Sequence, residues 1–205
     1  MVNRPANKTN AKSYERADED WYIEPAWTVH QLMDAIFFPD GTIYDPCCGG
    51  GNILNVAKER GFATIGSDII NRAPSHPFTL GNALRLRKLP NPTRGRLSVI
   101  TNSPFSNPEK IGEQIVRHIV GLNPYRAAFC FPIAFLCSID RYRFFTEECV
   151  PSHICVHSQR PTMPPGAKIN ELSGTGGMGD YIWLIYTRGH EGPPAMIWLK
   201  PDSIV

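Results

Sequence analysis

A short apolar strand, Thr42 to Asp45, runs straight into Pro46-Cys47-Cys48-Gly49-Gly50-Gly51, and Asn52 then opens a stretch with helical spacing. Few architectures accept that succession. A strand that turns through glycines into a helix is the first half of a strand–helix–strand unit, since a parallel partner strand requires a long crossover. The pattern recurs along the chain. The spacing predicts a helix over Asn52 to Arg60 ended by Gly61, a residue suited to a C-terminal cap, and a second strand over Ala63 to Asp68. Further strands are expected at Phe78 to Leu80, Leu97 to Thr101, Ala127 to Phe131, His153 to His157 and Tyr181 to Tyr186. Helices are expected after Pro25, over Pro108 to Leu122, and near Ser138 to Glu148. Strands alternating with helices imply an α/β fold with a mostly parallel central sheet.

A chain of 205 residues is long enough to bury a full core within one domain. Residues 1–19 are polar and read as a flexible N-terminal tail, and residues 20–205 as a single domain with no separate recognition module. A net charge of +2 does not by itself argue for a nucleic-acid partner. Its distribution is more suggestive, because Arg85, Arg87, Lys88, Arg94 and Arg96 form a basic loop able to touch phosphates or simply to face solvent. The six cysteines form no Cys-x-x-Cys pair. With a polar N-terminus in place of a signal peptide, and a longest apolar run (Ala127 to Cys137) that Pro132 breaks and that is too short for a membrane span, they favour a reducing, cytoplasmic setting. No metal site is expected: His153, Cys155 and His157 alternate on one strand without a fourth ligand.

Two strand ends carry chemistry. In an open α/β sheet, ligands bind at the carboxyl ends of strands near the point where strand order reverses. The glycine turn at Gly49 to Gly51 permits close approach of backbone to a ligand. It lacks Gly-Lys-Ser/Thr, and Leu54 occupies the third glycine position of the dinucleotide pattern, so a ligand without phosphates is favoured. Asp68, 19 residues after Gly49, ends the second strand where an acid accepts hydrogen bonds from ribose hydroxyls. Asn82 follows the third strand and either meets an adenine ring or caps a helix. The other strand end reads Asn102-Ser103-Pro104-Phe105. There the Asn102 side-chain oxygen and the Ser103 carbonyl are placed to accept both hydrogens of a planar amine, and an aromatic face to hold its ring.

With Asp45-Pro-Cys-Cys-Gly-Gly-Gly, Asp68 and Asn102-Ser-Pro-Phe in place, the chain resembles the class I S-adenosylmethionine-dependent methyltransferases. It is most similar to the prokaryotic and phage DNA amino-methyltransferases, over roughly residues 20–188. The resemblance implies a Rossmann-like three-layer sandwich whose final strand is antiparallel. It also implies S-adenosylmethionine as cofactor, held by Trp21, Tyr22, Asp45, Pro46, Cys47, Gly49, Gly51, Asp68 and Asn82, with Trp21 to Pro25 as the family's N-terminal cofactor segment. Asn102, Ser103, Pro104 and Phe105 become the catalytic tetrapeptide, with Phe105 stacking on a base taken out of the duplex. The family pattern is Asp, Asn or Ser, then Pro-Pro, then an aromatic. Ser103 departs from it, keeping the carbonyl and losing the fixed φ of proline.

The activity implied is methyl transfer to the exocyclic amine of adenine in DNA, with the target read by the loop from Ser158 to Asp180 and by the basic loop. The partner implied is DNA, with RNA as a further substrate and no membrane. Rival readings are a cytosine amine, an RNA base, a protein glutamine amide, and a cofactor- or nucleic-acid-binding module without catalysis.

Overall fold

The computed structural model describes residues 21–73, 75–93, 95–105, 110–164, 166 and 179–201. Eight strands form one sheet: β1 (Gly41–Asp45), β2 (Ala63–Asp68), β3 (Phe78–Leu80), β4 (Arg96–Thr101), β5 (Arg126–Pro132), β6 (His153–His157), β7 (Tyr181–Thr187) and β8 (Ala195–Leu199). Their order is β3-β2-β1-β4-β5-β7-β6-β8. The first five strands in space are parallel; β7 lies antiparallel to both β5 and β6, and β8 pairs parallel with β6.

The alternation of side chains along β4 shows how the layers form. Ile100 faces a core made with Val29 and Leu32 of α1 (Ala26–Ala35), Ile36 just past its end, and Ile53, Val56 and Ala57 of α2 (Asn52–Glu59). Its neighbour Val99 faces the opposite core, with Ile115, Val116 and Ile119 of α3 (Ile111–Gly121). Central strands buried on both faces need continuous apolar runs, as in Ala127 to Phe131 and Ile182 to Tyr186. Trp183 lies wholly in the first core. Among the described residues no helix is long and apolar enough to cross a membrane.

Three expectations change. The helix near Ser138 to Glu148 is instead a chain of short turns, 3-10 at Ile133–Leu136 and Ile139–Arg141 and π at Phe144–Glu148. Arg141 explains part of the break: it is drawn inward to Glu113 of α3 at 2.8 Å and stacks over Phe135 at 4.2 Å, rather than lying on a solvated helix face. Second, β8 was not anticipated, although its apolar run follows a Gly192-Pro193-Pro194 turn signal. Third, the basic loop is split. Arg85 is exposed just past the carboxyl end of β3, whereas Arg96 opens β4 at the opposite, amino end of the strands and covers the Tyr125 ring at 4.8 Å. The expected N-terminal tail and residues 165 and 167–178 of the long loop lie outside the described residues.

The reversal of strand order falls between β1 and β4, since the chain builds β2 and β3 on one side of β1 and then crosses to the other. Pairing Tyr44 with Val99 sets Asp45 level with Ile100, so Asn102 projects just past the end of β1. Both predicted strand ends therefore meet at one crevice.

Candidate active site

A cleft of about 180 Å³ opens at these carboxyl ends. Its wall on one side is the turn after β1. Tyr44 Oη and Ser67 Oγ stand 2.6 Å apart, and the Cys48 N–H donates to the Ser67 carbonyl at 3.0 Å, which staples the turn to β2. Asp45 contributes by geometry as much as by charge: its Oδ1 accepts the Cys47 N–H at 3.0 Å. Burial, reinforced by the nearby Glu24 and Asp68, holds its carboxyl well above the usual carboxylate range. Asp68 Oδ2 accepts the Gly49 N–H at 2.9 Å, Oδ1 accepts the Ile70 N–H at 3.2 Å, and Arg72 lies 3.7 Å away.

Across the cleft mouth runs a strap, Trp21 to Glu24. Its backbone is fixed by Ile23 N–H donating to the Pro164 carbonyl and Gly166 N–H donating to the Trp21 carbonyl, each at 3.0 Å. Asn52 Nδ2 donates to the Glu24 carbonyl at 3.2 Å. The Trp21 ring lies under the Arg72 guanidinium at 4.5 Å and against two glycines. A Cβ at Gly49 would stand 2.7 Å from Trp21 Nε1, and one at Gly166 would stand 2.3 Å from Trp21 Cδ2, so only hydrogen fits at either. The described limb of the long loop thus anchors the strap.

Glu24 was not among the expected site residues. It is 6% exposed and its carboxyl is pushed up to about 7 by burial, against the pull of hydrogen bonds from backbone and from Asn102. Its Oε2 accepts from Asn102 Nδ2 at 3.0 Å, and the Tyr22 carbonyl accepts from the same nitrogen at 3.3 Å. Asn102 and Glu24 are 78 residues apart, so spacing gave no sign of the pair. Its signals were a carboxylate set between Ile23 and Pro25 and its place within Trp21 to Pro25, the segment that the resemblance assigns to the cofactor. Arg72 was also missed; it sits four residues beyond Asp68, and the two form an ion pair.

Of the expected cofactor residues, Trp21, Tyr22, Asp45, Pro46, Cys47, Gly49, Asp68 and Asn82 line the cleft. Gly51 does not. It is the N-cap of α2 with φ 86°, and a Cβ there would crowd His76 and Ala73. Asn82 is a cap, its oxygen accepting the Leu84 N–H at 2.8 Å, and the residue also lines the cleft. Of the tetrapeptide, Asn102 and Pro104 line the cleft. Ser103 is buried and its Oγ has no hydrogen-bond partner among the described residues. The Phe105 ring stands outside the lining, edge-on to Phe131 at 6.5 Å, because the second core claims it. His153, Cys155 and His157 part company. Cys155 packs in the first core, His153 meets Ser152, and His157 meets Gln31 and Trp27.

No family model and no curated protein matches the chain. Solved structures do. A modification subunit assigned to a type I restriction enzyme of Vibrio vulnificus aligns at TM-score 0.56 and 16% identity over 89% of this chain and 48% of its own. A protein of Pyrococcus horikoshii assigned as an RNA methyltransferase aligns at TM-score 0.56 and 12% identity, over 86% of this chain and 90% of its own. A dimethyladenosine transferase of Plasmodium falciparum aligns at TM-score 0.53 and 13% identity, over 81% and 62%. The chain spans about half the length of the Vibrio subunit. At such identities the likeness is one of architecture, and it is specific: strand order, the antiparallel β7 and the flanking helices are those of the Rossmann-like methyltransferase fold.

Proposed function

We propose that the cleft binds S-adenosylmethionine and that the chain transfers its methyl group to the exocyclic amine of adenine in DNA. The donor set suits the cofactor. Glu24, Asp45 and Asp68 converge on one cleft, an arrangement that favours a cationic ligand. Asp68 keeps acceptor capacity for a ribose diol beyond its two backbone bonds, Asn82 offers its amide hydrogens to an adenine ring, and the Cys47 to Gly49 turn with Arg72 would hold the amino-acid end. When bound, the cofactor supplies the methyl as an electrophile on a sulfonium sulfur.

One observation carries the reading: the Asn102 amide, set beside that cleft at the switch point, commits its nitrogen to Glu24 and Tyr22 and leaves its oxygen to meet a substrate. The nitrogen of an aromatic amine is a poor nucleophile while its lone pair is delocalised. An oxygen accepting one of its hydrogens favours the pyramidal form; as the N–CH3 bond forms and the S–CH3 bond breaks, the cofactor is left as a neutral thioether and the nitrogen's extra hydrogen passes to water as a proton. No covalent bond to the enzyme is needed, so positioning supplies the rate. The exposed Arg85, Arg87 and Lys88 beyond Asn82 support a polyanionic substrate, and the resemblance of the Asn102 to Phe105 turn to amino-methyltransferases supports adenine.

The test incubates the chain with labelled S-adenosylmethionine and DNA, RNA or protein, and identifies the product by mass spectrometry. Label on the adenine amine of DNA that vanishes in Asn102→Ala is the expected result. Label on cytosine, RNA or glutamine reassigns the substrate, and cofactor binding with no transfer overturns the enzymatic reading.

A further inference from the structure

We propose that Glu24 is a positioning residue that decides which end of the Asn102 amide faces the substrate, an inference that rests on the methyl-transfer reading above. An amide side chain is nearly symmetric in shape, and turning it over exchanges oxygen for nitrogen at almost no steric cost, so its orientation follows from its partners. Both partners here come from the strap. The Tyr22 carbonyl only accepts, and the Glu24 carboxylate, when ionised, only accepts. Together they draw Nδ2 toward the strap and turn Oδ1 away from it.

The two anchors are unequal. The contact to Tyr22 is 3.3 Å, long for this class of bond, whereas that to Glu24 is 3.0 Å to a carboxyl oxygen. Glu24 is itself held: its carbonyl accepts from Asn52 Nδ2 at 3.2 Å, and Pro25 follows it with φ −64° at the entry to α1. Without its carboxylate the amide would be free to turn over. It would then present hydrogens to an amine that has only hydrogens to offer, and the acceptor would be lost. The same arrangement explains the choice of Asn at 102. An Asp there would set a second carboxylate against Glu24 and the Tyr22 carbonyl, and once Glu24 is ionised no hydrogen would lie between them.

The test is a hydrogen-bond exchange in the full chain. Glu24→Gln retains an acceptor and is expected to lower kcat by no more than about threefold, while Glu24→Met, of similar length with no acceptor, lowers it at least about tenfold with a smaller change in cofactor KM. Asn102→Asp is expected to lose about 100-fold or more, and the double variant Asn102→Asp with Glu24→Gln to regain about tenfold, because Gln then donates where Asn did. A second readout needs no turnover. In ¹⁵N-labelled protein the Asn102 amide should show two distinct, protected hydrogens in the wild type and in Glu24→Gln, and averaged, exchanging ones in Glu24→Met. The proposal is overturned by a Glu24→Met variant with unchanged kcat and amide signals, or by a double variant no better than Asn102→Asp alone. The double variant keeps the test open if Glu24→Met does not fold. An amide released by Glu24→Met in a protein that methylates nothing supports the positioning and refutes the enzymatic reading instead.

Discussion

The Gly49 N–H donates to Asp68 Oδ2 at 2.9 Å, which joins the turn after β1 to the end of β2 and makes a brace of the carboxylate that the proposed function assigns to the cofactor's ribose. Asp68→Ala should remove both functions. Cofactor affinity is expected to fall about 10- to 100-fold, the equivalent of about 1.5–3 kcal/mol for a hydrogen bond to a charged group. Asp68→Asn, which keeps an acceptor for Gly49, should fall less. Calorimetric titration of the three proteins with S-adenosylmethionine checks the order.

Trp21 occupies a slot that only glycine at 166 leaves open. Gly166→Ala is expected to push the indole off Gly49 and out from under Arg72, loosening the strap. Cofactor affinity should drop about fivefold or more while stability changes by less than about 1 kcal/mol, because the substitution lies away from the main cores. Binding and urea unfolding measured on the same variant separate the two effects.

Burial of Glu24 gives stability a pH dependence of definite sign. The folded chain holds its proton up to about pH 7, against 4.5 when the group is free. Between those values the folded state binds the proton that the unfolded state has released, so stability present below pH 4.5 is lost as pH rises through 7. The cost is about 3 kcal/mol at 1.36 kcal/mol per unit. Glu24→Gln should therefore be more stable than wild type at pH 8 and close to it at pH 4.5. Asp45 is raised chiefly by burial and only in lesser part by Glu24, so the difference between the two pH curves reports Glu24 together with its smaller effect on Asp45. Curves that run parallel from pH 4.5 to 8 would refute the burial of this acid.

Glu113 is buried between Arg141 at 2.8 Å and Arg117 at 3.5 Å, and it ties the turns after β5 to α3. Arg141→Ala should cost about 2–3 kcal/mol, somewhat below the loss on breaking a buried pair outright, because Arg117 still faces Glu113. Since Arg141 does not line the cleft, cofactor affinity is expected to stay within about twofold. Thermal unfolding and cofactor titration together check this.

Much of the frame was legible from local patterns. Ala63 to Asp68, Phe78 to Leu80 and His153 to His157 are strands with the expected bounds, because short strand-forming stretches bounded by turn residues mark themselves locally. Strand β8 carried the same kind of signal at Ala195 to Leu199 and could have been read. The turns of 133–148 could not. Their helical spacing is real, but Arg141 finds its partner on α3, and tertiary pairing overrides local propensity.

The candidate site divides along the same line. By itself the sequence determined the two strand ends, Asp45 with its glycine turn and Asn102 with its Pro-aromatic sequel, because each is a contiguous segment whose chemistry is written in its own residues. Only the tertiary structure decided that the two ends share one crevice, that Gly51 and Phe105 belong to packing, and that Glu24 and Tyr22 hold the Asn102 amide. Those facts depend on strand order and on a strap laid across 78 residues of intervening chain. A hydrogen bond is satisfied by proximity in space, and no local pattern in sequence encodes it.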